Sequence, residues 1–519
     1  MSIHVTPSGK VVMPFHGAMA AVFPEHERKL VAGTDYMALP YDVSTAIMAR
    51  RFGLDMPAPV LSQYDWGNAP RTPFEVQRQT VSFLTLNTHA YVLNGMGTGK
   101  TLSALWAFDF LRVTGFARRA LIVAPVSTLY ATWASEIFNN LPHLKYVVLD
   151  GTKGRRLKRL NEDWDVAIVN HDGVKVVLEA LNARDDIDVL VLDELAVYRN
   201  GRAARTKEMI KFAANKSWVW GMTGSPASMG PISVWAQCQI VTPHTVPKYF
   251  GHFQKAVQTK LSQFRWEDKP DALERALDVM QPSVRFSLDD VIELPAQVMQ
   301  HLDVPMSAKQ KTVYKAMTEA AAAMVDSGDV TAANAGALLN KLLQISAGWV
   351  YNSQGQIVEL DGGARLDACI DAITSASGKV IVFANFKHVV AGISERLTAE
   401  GIEFATITGE TPSATRTQIF HDFQNTSKYK VLDAAPGAMA HGVTLTEADT
   451  VIWYGPTLSL ETYNQANARI RRIGQRRKQL ILHLCSSPAE RRMYKNLENR
   501  DMTQTKLLDL FRDRTALAV

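Results

Sequence analysis

Short segments that are apolar at every position recur along this chain and constrain its fold more than any other feature. Between about residues 88 and 245 they alternate with amphipathic stretches of helical period: AYVLNG, ALIVAPV, YVVLDG, DVAIVNH, DVLVLDE and SWVWGMTG. A strand that is apolar throughout is buried on both faces, as in a parallel sheet covered by helices. The alternation returns from about residue 378, in KVIVFANF, FATITGE, YKVLDAAP, DTVIWYG and LILHLC. The sequence therefore predicts an α/β fold with two doubly wound parallel-sheet domains.

The segments outside these two series read differently and divide the chain further. Residues 1–70 are rich in proline and show little periodicity, which indicates a small N-terminal accessory module. Residues 71–245 form the predicted first α/β lobe. Residues 246–360 contain helical runs such as MTEAAAAMVDSG between proline-bearing loops, which indicates a helical inter-lobe segment. Residues 361–519 form the predicted second α/β lobe with C-terminal helices.

Composition bounds the class of protein. The three cysteines, Cys238, Cys369 and Cys485, are too scattered for a disulfide framework or a metal site, which favours a reducing compartment. The sequence has no apolar run of membrane-spanning length, and its N-terminus lacks the layout of a signal peptide. The net charge of +5 is small, although basic residues cluster in KGRRLKR and RIRRIGQRRK. We therefore expect a soluble cytoplasmic protein with no membrane partner.

The stretch YVLNGMGTGKTLSALWAF, residues 91–108, reads as a strand, a glycine-rich turn and the start of a helix. Gly97 and Gly99 allow successive backbone N–H groups to converge on one anion at the positive end of that helix. Lys100 can reach the terminal phosphates of a nucleotide, and the Thr101 hydroxyl can ligate Mg²⁺. One position is irregular, because Asn94 stands where the first glycine of such loops usually lies. The predicted cofactor-binding loop consists of Met96, Gly97, Thr98, Gly99, Lys100 and Thr101.

Hydrolysis also requires a carboxylate for the metal ion and a group that orients water, and VLVLDELAVYRN (189–200) offers both. Asp193, at the end of a buried strand, is the predicted Mg²⁺ ligand, and Glu194 is predicted to polarise the attacking water. The next apolar strand ends in Thr223-Gly224-Ser225-Pro226. The Thr223 hydroxyl is a candidate to bond to the acidic pair and to sense the γ-phosphate.

The second α/β lobe contributes the segment ETYNQANARIRRIGQRRKQ, residues 461–479. Gln465, Arg469 and Arg472 are spaced at i, i+4 and i+7, so the spacing predicts one helical face with an amide and two guanidinium groups. Planar, permanently charged groups suit a γ-phosphate whose charge spreads in the transition state. The sequence therefore predicts an ATP and Mg²⁺ site that is split between the two lobes, with arginine fingers from the second.

The order of these segments resembles helicase superfamily two. The residues within them resemble the Swi/Snf branch of DNA translocases in that superfamily. NGMGTGKT is similar to the second half of the branch's D-E-M-G-x-G-K-T loop, which accounts for Asn94, and QANARIRRIGQ to its Q-A-x-x-R-x-H-R-x-G-Q. LIVAPVSTLYATWASEI, TGSPASMGPISVW and AHGVTLTEADTVIWY also resemble family segments. The resemblance covers roughly residues 70 to 500 and implies two RecA-like lobes that hydrolyse ATP.

The resemblance also implies roles for residues that spacing alone does not assign. PFEVQRQTVSFL resembles the adenine-reading segment, which gives Gln77 a hydrogen bond to the base. Loops that track the DNA backbone would include Ser127, Asn170 and Thr444, through phosphate contacts that carry no sequence information. The segment TDYMALPYDVSTAIMARRFGL faintly resembles the small module that precedes the motor in annealing helicases.

Two departures from the family pattern bear on function. The acidic motif reads Asp-Glu-Leu-Ala where the family has Asp-Glu-x-His, so the histidine that links the ATP site to DNA is missing. We expect hydrolysis to be intact, while its coupling to DNA stays open. The interval between the lobes is short, which favours a compact enzyme of a bacterial or phage-infected cell over a large chromatin remodeller.

The predicted function is an ATP-dependent DNA translocase that moves along duplex or branched DNA in remodelling, recombination or repair. Its predicted partner is DNA rather than RNA, and protein partners stay open. The alternatives are a strand-separating DNA or RNA helicase, the motor subunit of a restriction or defence complex, and an ATP-gated clamp on branched DNA without turnover. No nuclease motif is visible in the sequence, so a defence complex would need a partner that cuts. Intact Glu194, Arg469 and Arg472 argue against the clamp.

Overall fold

The structure is a computed structural model that describes residues 3–66, 72–227, 229–263, 265–326, 332–352, 354–439 and 443–499. These residues form two compact units, and the division falls between Val291 and Ile292. Each unit contains one large parallel sheet, so the predicted α/β fold with two doubly wound lobes is confirmed. No helix in these ranges is both long enough and apolar enough to cross a bilayer.

A small antiparallel sheet with order β1-β2-β4-β3 begins the first unit. Its strands are β1 (His4–Val5), β2 (Lys10–Pro14), β3 (Glu27–Val31) and β4 (Thr34–Pro40), accompanied by α1 (Gly17–Val22), α2 (Val43–Arg51) and α3 (Val60–Gln63). Its buried residues, such as Met13 and Met37, belong to the same hydrophobic cluster as Trp106 of the lobe that follows. The N-terminal module therefore shares its core with the first lobe instead of enclosing a core of its own.

The first lobe is a seven-stranded parallel sheet with order β13-β5-β10-β9-β6-β8-β7. The strands of this part of the chain are β5 (His89–Val92), β6 (Arg119–Ala124), β7 (Tyr146–Leu149), β8 (Val166–Asn170), β9 (Ile187–Asp193), β10 (Trp218–Met222), β11 (Gln258–Lys260), β12 (Trp266–Asp268) and β13 (Ser283–Val284), of which β11 and β12 form a separate hairpin. The helices are α4 (Glu75–Leu86), α5 (Lys100–Val113), α6 (Ser135–Asn140), α7 (Lys153–Leu160), α8 (Val174–Asn182), α9 (Ala204–Ala213), α10 (Val234–Val241), α11 (Phe250–Val257) and α12 (Ala272–Val279). A π-helix spans Leu129–Ala134, and 3₁₀ turns span Leu195–Tyr198, Pro231–Ser233 and Leu288–Asp290.

Successive residues of these strands enter two different cores, one on each face of the sheet. Ile122 and Val191 belong to the cluster that includes α5, whereas Val123 and Leu192 belong to the cluster on the other face. This burial on both faces explains why the strands are apolar at every position.

The second unit is built on a six-stranded parallel sheet with order β14-β21-β20-β17-β19-β18. Its strands are β14 (Gln297–Asp303), β15 (Trp349–Tyr351), β16 (Ile357–Glu359), β17 (Lys379–Phe383), β18 (Phe404–Ile407), β19 (Val431–Ala434), β20 (Ala448–Trp453) and β21 (Gln479–Cys485), of which β15 and β16 pair separately. Its helices are α13 (Ala308–Asp326), α14 (Ala332–Ala347), α15 (Gly363–Ser375), α16 (Lys387–Ala399), α17 (Ser413–Asn425) and α18 (Leu460–Asn467), followed by helical residues 488–499. A 3₁₀ turn spans Pro436–Met439.

The structure divides residues 246–360, which the sequence groups as one inter-lobe segment, between the two units. The part that ends at Val291 includes β13, which adds a strand to the first sheet beside β5. The part that begins at Ile292 includes β14, which pairs along its whole length with β21 of the second sheet. Helices α11 and α12 therefore precede β13 in the first unit, and α13 and α14 follow β14 in the second, a division that local sequence does not encode.

A buried ion pair holds the second unit together. The Arg365 guanidinium on α15 lies 2.9 Å from the Glu490 carboxylate and also donates to the carbonyl groups of Ser346 and Leu484, at 2.8 and 2.7 Å. Both charged side chains are almost fully buried. Loss of one partner would leave the other as an uncompensated charge in a medium of low dielectric constant.

We therefore expect Glu490→Ala to lower the free energy of unfolding by about 3–5 kcal/mol, because the Arg365 guanidinium remains buried without its carboxylate. Chemical denaturation of the full chain measures this loss. The matched control is Glu400→Ala, which removes an exposed carboxylate 2.8 Å from Arg396 and should cost less than about 1 kcal/mol. Equal losses in the two variants would contradict the prediction.

Candidate nucleotide-hydrolysis site

The glycine-rich loop lies between β5 and α5, and its backbone requires glycine at two positions. Gly97 and Gly99 have φ of +82° and +81°, in the left-handed region that other residues adopt at a cost. A Cβ atom on Gly99 would lie 2.2 Å from the amide nitrogen of Gln77. The Thr98 hydroxyl closes the loop by donating to the Gly95 carbonyl at 2.8 Å. The loop is thus a tight backbone cradle at the N-terminus of α5.

Lys100 is the first residue of α5, and its side chain turns back over the loop. Its ammonium group donates to the carbonyl groups of Asn94 and Gly95, at 2.9 and 3.0 Å. Met96 and Thr101 flank this position and are both half-buried. The six predicted loop residues are therefore contiguous around one cradle, with a cation held at its centre.

The irregular Asn94 is buried and connects three segments. Its side-chain amide donates to the Thr80 hydroxyl on α4 at 2.9 Å, and its side-chain oxygen accepts from the backbone N–H of Phe286 at 2.9 Å. The Gly95 N–H also donates to the Phe286 carbonyl, at 2.7 Å. The segment after β13 is therefore part of the loop's support. No sequence signal could have found it, because Phe286 is separated from Asn94 by 192 positions.

Gln77 lies on the first turn of α4 and is buried against the loop. Its side-chain oxygen accepts from the Phe74 N–H at 3.0 Å, and its amide donates to the Gly99 carbonyl at 3.3 Å. The structure therefore places Gln77 beside the loop. Its contact with an adenine base stays a prediction.

The acidic pair follows β9 and lies at the same edge of the sheet. The Asp193 carboxylate accepts the indole N–H of Trp133 at 3.0 Å and the backbone N–H of Glu194 at 3.1 Å. Burial raises the pKa of the Asp193 carboxyl above its usual value, while the Trp133 N–H, the Lys100 charge and the Glu194 N–H act in the opposite direction. The Lys100 charge thus acts on a carboxylate 93 positions away in the sequence. That the two groups share one ATP and Mg²⁺ site stays a prediction.

Glu194 has an unusual backbone conformation for a residue with a side chain. Its φ of +53° lies in the left-handed region, and it begins the 3₁₀ turn Leu195–Tyr198. Such a conformation costs on the order of 1–3 kcal/mol and tends to occur where function requires it. The turn directs the chain away from β9 immediately after the two carboxylates.

Thr223 directly follows β10, the strand that lies between β5 and β9. Its backbone N–H donates to the Val92 carbonyl at 3.1 Å, and its hydroxyl accepts the N–H of Ser225 at 3.1 Å. The hydroxyl thus takes part in its own turn, and its contact with the acidic pair stays a prediction. The position of Thr223 nevertheless brings it to the edge where the glycine-rich loop and the acidic pair end.

In the second unit, the prediction of one helical face through Gln465, Arg469 and Arg472 is wrong. Helix α18 ends at Asn467, and both arginines lie in the turns that follow. The Leu445 N–H donates to the Arg469 carbonyl at 3.0 Å, and this contact with another loop replaces the helical continuation. Spacing at i, i+4 and i+7 favours a helix locally, but the tertiary contact decides otherwise.

The three side chains nevertheless occupy one short stretch with distinct surroundings. Gln465 is buried and donates to the Glu461 carboxylate at 3.4 Å. Arg469 is buried and donates to the Val443 carbonyl at 3.1 Å. Arg472 donates to the Ala468 carbonyl at 3.2 Å and to the Thr444 hydroxyl at 3.1 Å.

Arg472 has a distinctive electrostatic environment. Burial lowers the pKa of its guanidinium group to about 10, and no carboxylate in the described ranges forms an ion pair with it. A positive charge that has lost water without gaining a counter-charge favours the binding of an anion. Arg472 is therefore suited to receive an anionic group.

Two of the three predicted DNA-backbone contacts lie at the ends of adjacent strands of the first sheet. Ser127 is exposed in the loop after β6, and Asn170 ends the neighbouring β8, where its side-chain oxygen accepts from Arg156 at 3.2 Å. Thr444 is exposed in the second unit beside Arg472. Residues 440–442, which precede Thr444 in the predicted contact loop, lie outside the described residues.

Two family models match this chain. The model described as "SNF2-related domain" matches residues 77–349, and the "Helicase conserved C-terminal domain" matches residues 364–474. The first spans more than half of the chain and contains the glycine-rich loop and the acidic pair. The second contains the three residues of the 465–472 stretch.

Individual proteins resemble the chain at sequence identities of 20–25%. Protein p41 of Acyrthosiphon pisum secondary endosymbiont phage 1 is 24% identical over 418 residues, which cover 77% of this chain and 88% of that protein. The SWI/SNF-related matrix-associated actin-dependent regulator of chromatin subfamily A-like protein 1 of Xenopus laevis is 25% identical over 409 residues, 77% of this chain. This chain matches only 40% of the length of the frog protein. The solved Sulfolobus solfataricus SWI2/SNF2 ATPase core in complex with dsDNA has a TM-score of 0.40 and 20% identity, and the match covers 86% of this chain and 96% of that one.

We expect Asn94→Ala to weaken both the fold and the glycine-rich loop, because the half-buried N–H of Phe286 loses its acceptor and the Thr80 hydroxyl loses a donor while keeping its bond to the Val76 carbonyl. Each unsatisfied group costs about 1–3 kcal/mol. Chemical denaturation reports the stability, and titration with a fluorescent nucleotide reports the loop. The control Asn87→Ala removes a side-chain amide that donates to the Phe83 carbonyl at the end of α4, and should leave nucleotide affinity unchanged. Unaltered nucleotide affinity in Asn94→Ala would show that the loop does not depend on this residue.

Proposed function

This chain belongs to the SNF2-related family of DNA-dependent ATPases in helicase superfamily two, and from this membership we propose that it is an ATP-driven translocase on duplex DNA. The observation that carries the proposal is the meeting of the glycine-rich loop and Asp193 at one edge of the first sheet. That arrangement supports binding and hydrolysis of ATP, the reaction that would drive movement.

The residues at this edge fit ATP and Mg²⁺. Gly97 and Gly99 leave the backbone N–H groups of the loop accessible to phosphate, and Lys100 supplies the compact cation for the terminal phosphates. Thr101 and Asp193 would hold Mg²⁺, which when bound neutralises charge that develops on the phosphates. Glu194, adjacent to Asp193, orients the attacking water.

We assign Arg469 and Arg472 to the γ-phosphate. A half-buried Arg472 without a carboxylate partner in the described ranges supports this role, because an anion would offset the cost of burying its charge. A guanidinium presents a planar fork that an ammonium cannot reproduce. Gln465 lies on α18, four positions before Arg469, and belongs to the same segment.

The contact between Thr444 and Arg472 suggests how DNA affects hydrolysis. The Thr444 hydroxyl accepts from the Arg472 guanidinium at 3.1 Å, and Thr444 is itself a predicted DNA contact. Occupation of that hydroxyl by a phosphate oxygen would change how Arg472 is held. The same short contact would then serve both the DNA and the nucleotide.

Duplex tracking rather than strand separation is favoured by the kind of contacts available. Phosphate contacts at Ser127, Asn170 and Thr444 are indifferent to base identity and work on intact duplex. Strand separation would also require a wedge between the bases; the β11–β12 hairpin lies between the two α/β series, and none of the phosphate contacts named here involves it. Movement without separation is therefore the simpler function for these residues.

We expect Arg472→Ala to lower turnover by about 10³-fold or more while ATP affinity stays nearly unchanged, as for arginine fingers. Arg472→Lys should not restore turnover, because the fork is lost. Steady-state phosphate release and nucleotide titration measure the two quantities. The exposed Arg476, four positions later, gives the control Arg476→Ala, which should retain parental turnover. A lysine variant with near-parental turnover would show that Arg472 is only a surface cation.

The experiment that tests the proposed function compares two substrates on one native gel. We expect the chain with ATP to displace a third strand annealed to a duplex, while a plain forked duplex stays largely paired. ATPase stimulation by duplex DNA should fall steeply with salt, because each neutralised phosphate releases counterions. Lys100→Ala and a non-hydrolysable analogue are the controls for ATP dependence. Efficient opening of the fork with no displacement of the third strand would favour a conventional helicase.

A further inference from the structure

A π-helix connects the predicted DNA loop after β6 with the magnesium carboxylate. It spans Leu129–Ala134 and begins two residues after Ser127. Trp133 in this helix is fully buried and donates its indole N–H to Oδ2 of Asp193 at 3.0 Å. Single-turn π-helices are rare and often occur at functional sites. The helix has no role in the chemistry described above.

The opposite end of the π-helix is also fixed. The Tyr130 hydroxyl donates to Oδ2 of Asp150 at 2.6 Å, and the Arg159 guanidinium contacts both groups, at 3.3 Å and 2.9 Å. Tyr130 is exposed, as is Ser127 three positions earlier. One short helix is therefore held at the surface by Tyr130 and at the hydrolysis site by Trp133.

The acidic motif lacks a side-chain hydrogen-bond donor that the family pattern contains. Ala196 stands where the family that this chain resembles has the histidine of Asp-Glu-x-His. The methyl group of alanine cannot donate a hydrogen bond. Trp133 supplies a side-chain donor to the same motif from a different element. A charge-assisted hydrogen bond depends strongly on distance and angle, so a small displacement of the π-helix would alter how Asp193 is held.

We infer that Trp133 is a positioning residue that orients Asp193 for Mg²⁺ and transmits DNA contact at loop 125–128 to the hydrolysis site. The part that concerns DNA rests on the proposed function. The part that concerns Asp193 rests only on the contact between Trp133 and the carboxylate. The two parts therefore have separate measurements.

The first measurement is the Mg²⁺ concentration needed for tight binding of a fluorescent, non-hydrolysable ATP analogue to the full chain. We expect Trp133→Phe, which keeps an aromatic ring but removes the N–H, to raise it about 10- to 100-fold, as for other residues that orient a metal ligand. The matched control is Trp164→Phe. Trp164 is also fully buried in the first unit, but its N–H donates to the Leu160 carbonyl, at 2.9 Å. Trp164→Phe should leave the Mg²⁺ requirement unchanged.

The second measurement is the ratio of ATPase rates with and without duplex DNA. We expect this ratio to fall towards unity in Trp133→Phe and to stay parental in Trp164→Phe. Hydrogen exchange in the unmodified chain gives an independent readout if Trp133→Phe does not fold. The amides of residues 129–134 should gain protection when duplex DNA is added to the Mg²⁺–nucleotide complex.

Each result decides one part of the inference. A parental Mg²⁺ requirement in Trp133→Phe, or an equal shift in Trp164→Phe, overturns the positioning role. A raised requirement with a parental DNA ratio, or unchanged exchange at 129–134, overturns the transmission. A parent chain without any DNA stimulation would refute the proposed function and the transmission with it, while the Mg²⁺ measurement would still test Trp133.

Discussion

Parallel pairing of β5, β10 and β9 is the constraint on which the hydrolysis site depends. Met222 of the middle strand lies opposite Val92 on one side and Asp193 on the other, so the three strands end at one level. The glycine-rich loop leaves the sheet just after Val92, and the acidic pair leaves it at Asp193. A slip of one residue in either register would move the side chains to the opposite face and separate the loop from its carboxylate.

Several features at the edge where β5, β10 and β9 end are energetically unfavourable in isolation. Glu194 has a left-handed backbone, burial raises the pKa of Asp193, and the loop requires two glycines with positive φ. In the second unit, Arg472 is dehydrated without a carboxylate partner in the described ranges. Such costs persist because the surrounding cores fix the strands on both faces, and they are the costs that binding of a charged ligand can offset.

Long-range contacts join the residues of the site to distant parts of the chain. Asn94 reaches the backbone of Phe286, and Trp133 reaches Asp193 from a π-helix. The N-terminal module adds its buried residues to the core that contains α5, the helix that begins at Lys100. The family resemblance predicts the residues of the reaction, whereas these contacts come from the tertiary structure.

The sequence alone determined the two parallel-sheet lobes, because strands buried on both faces must be apolar throughout. It also determined the glycine-rich loop, since Gly97, Gly99 and Lys100 lie in one short segment whose chemistry is local. Tertiary structure decided where α18 ends and how residues 246–360 divide between the sheets. In both cases the deciding hydrogen bonds join positions far apart in the sequence, such as Leu445 with Arg469 and β13 with β5. The local spacing of residues does not predict such bonds.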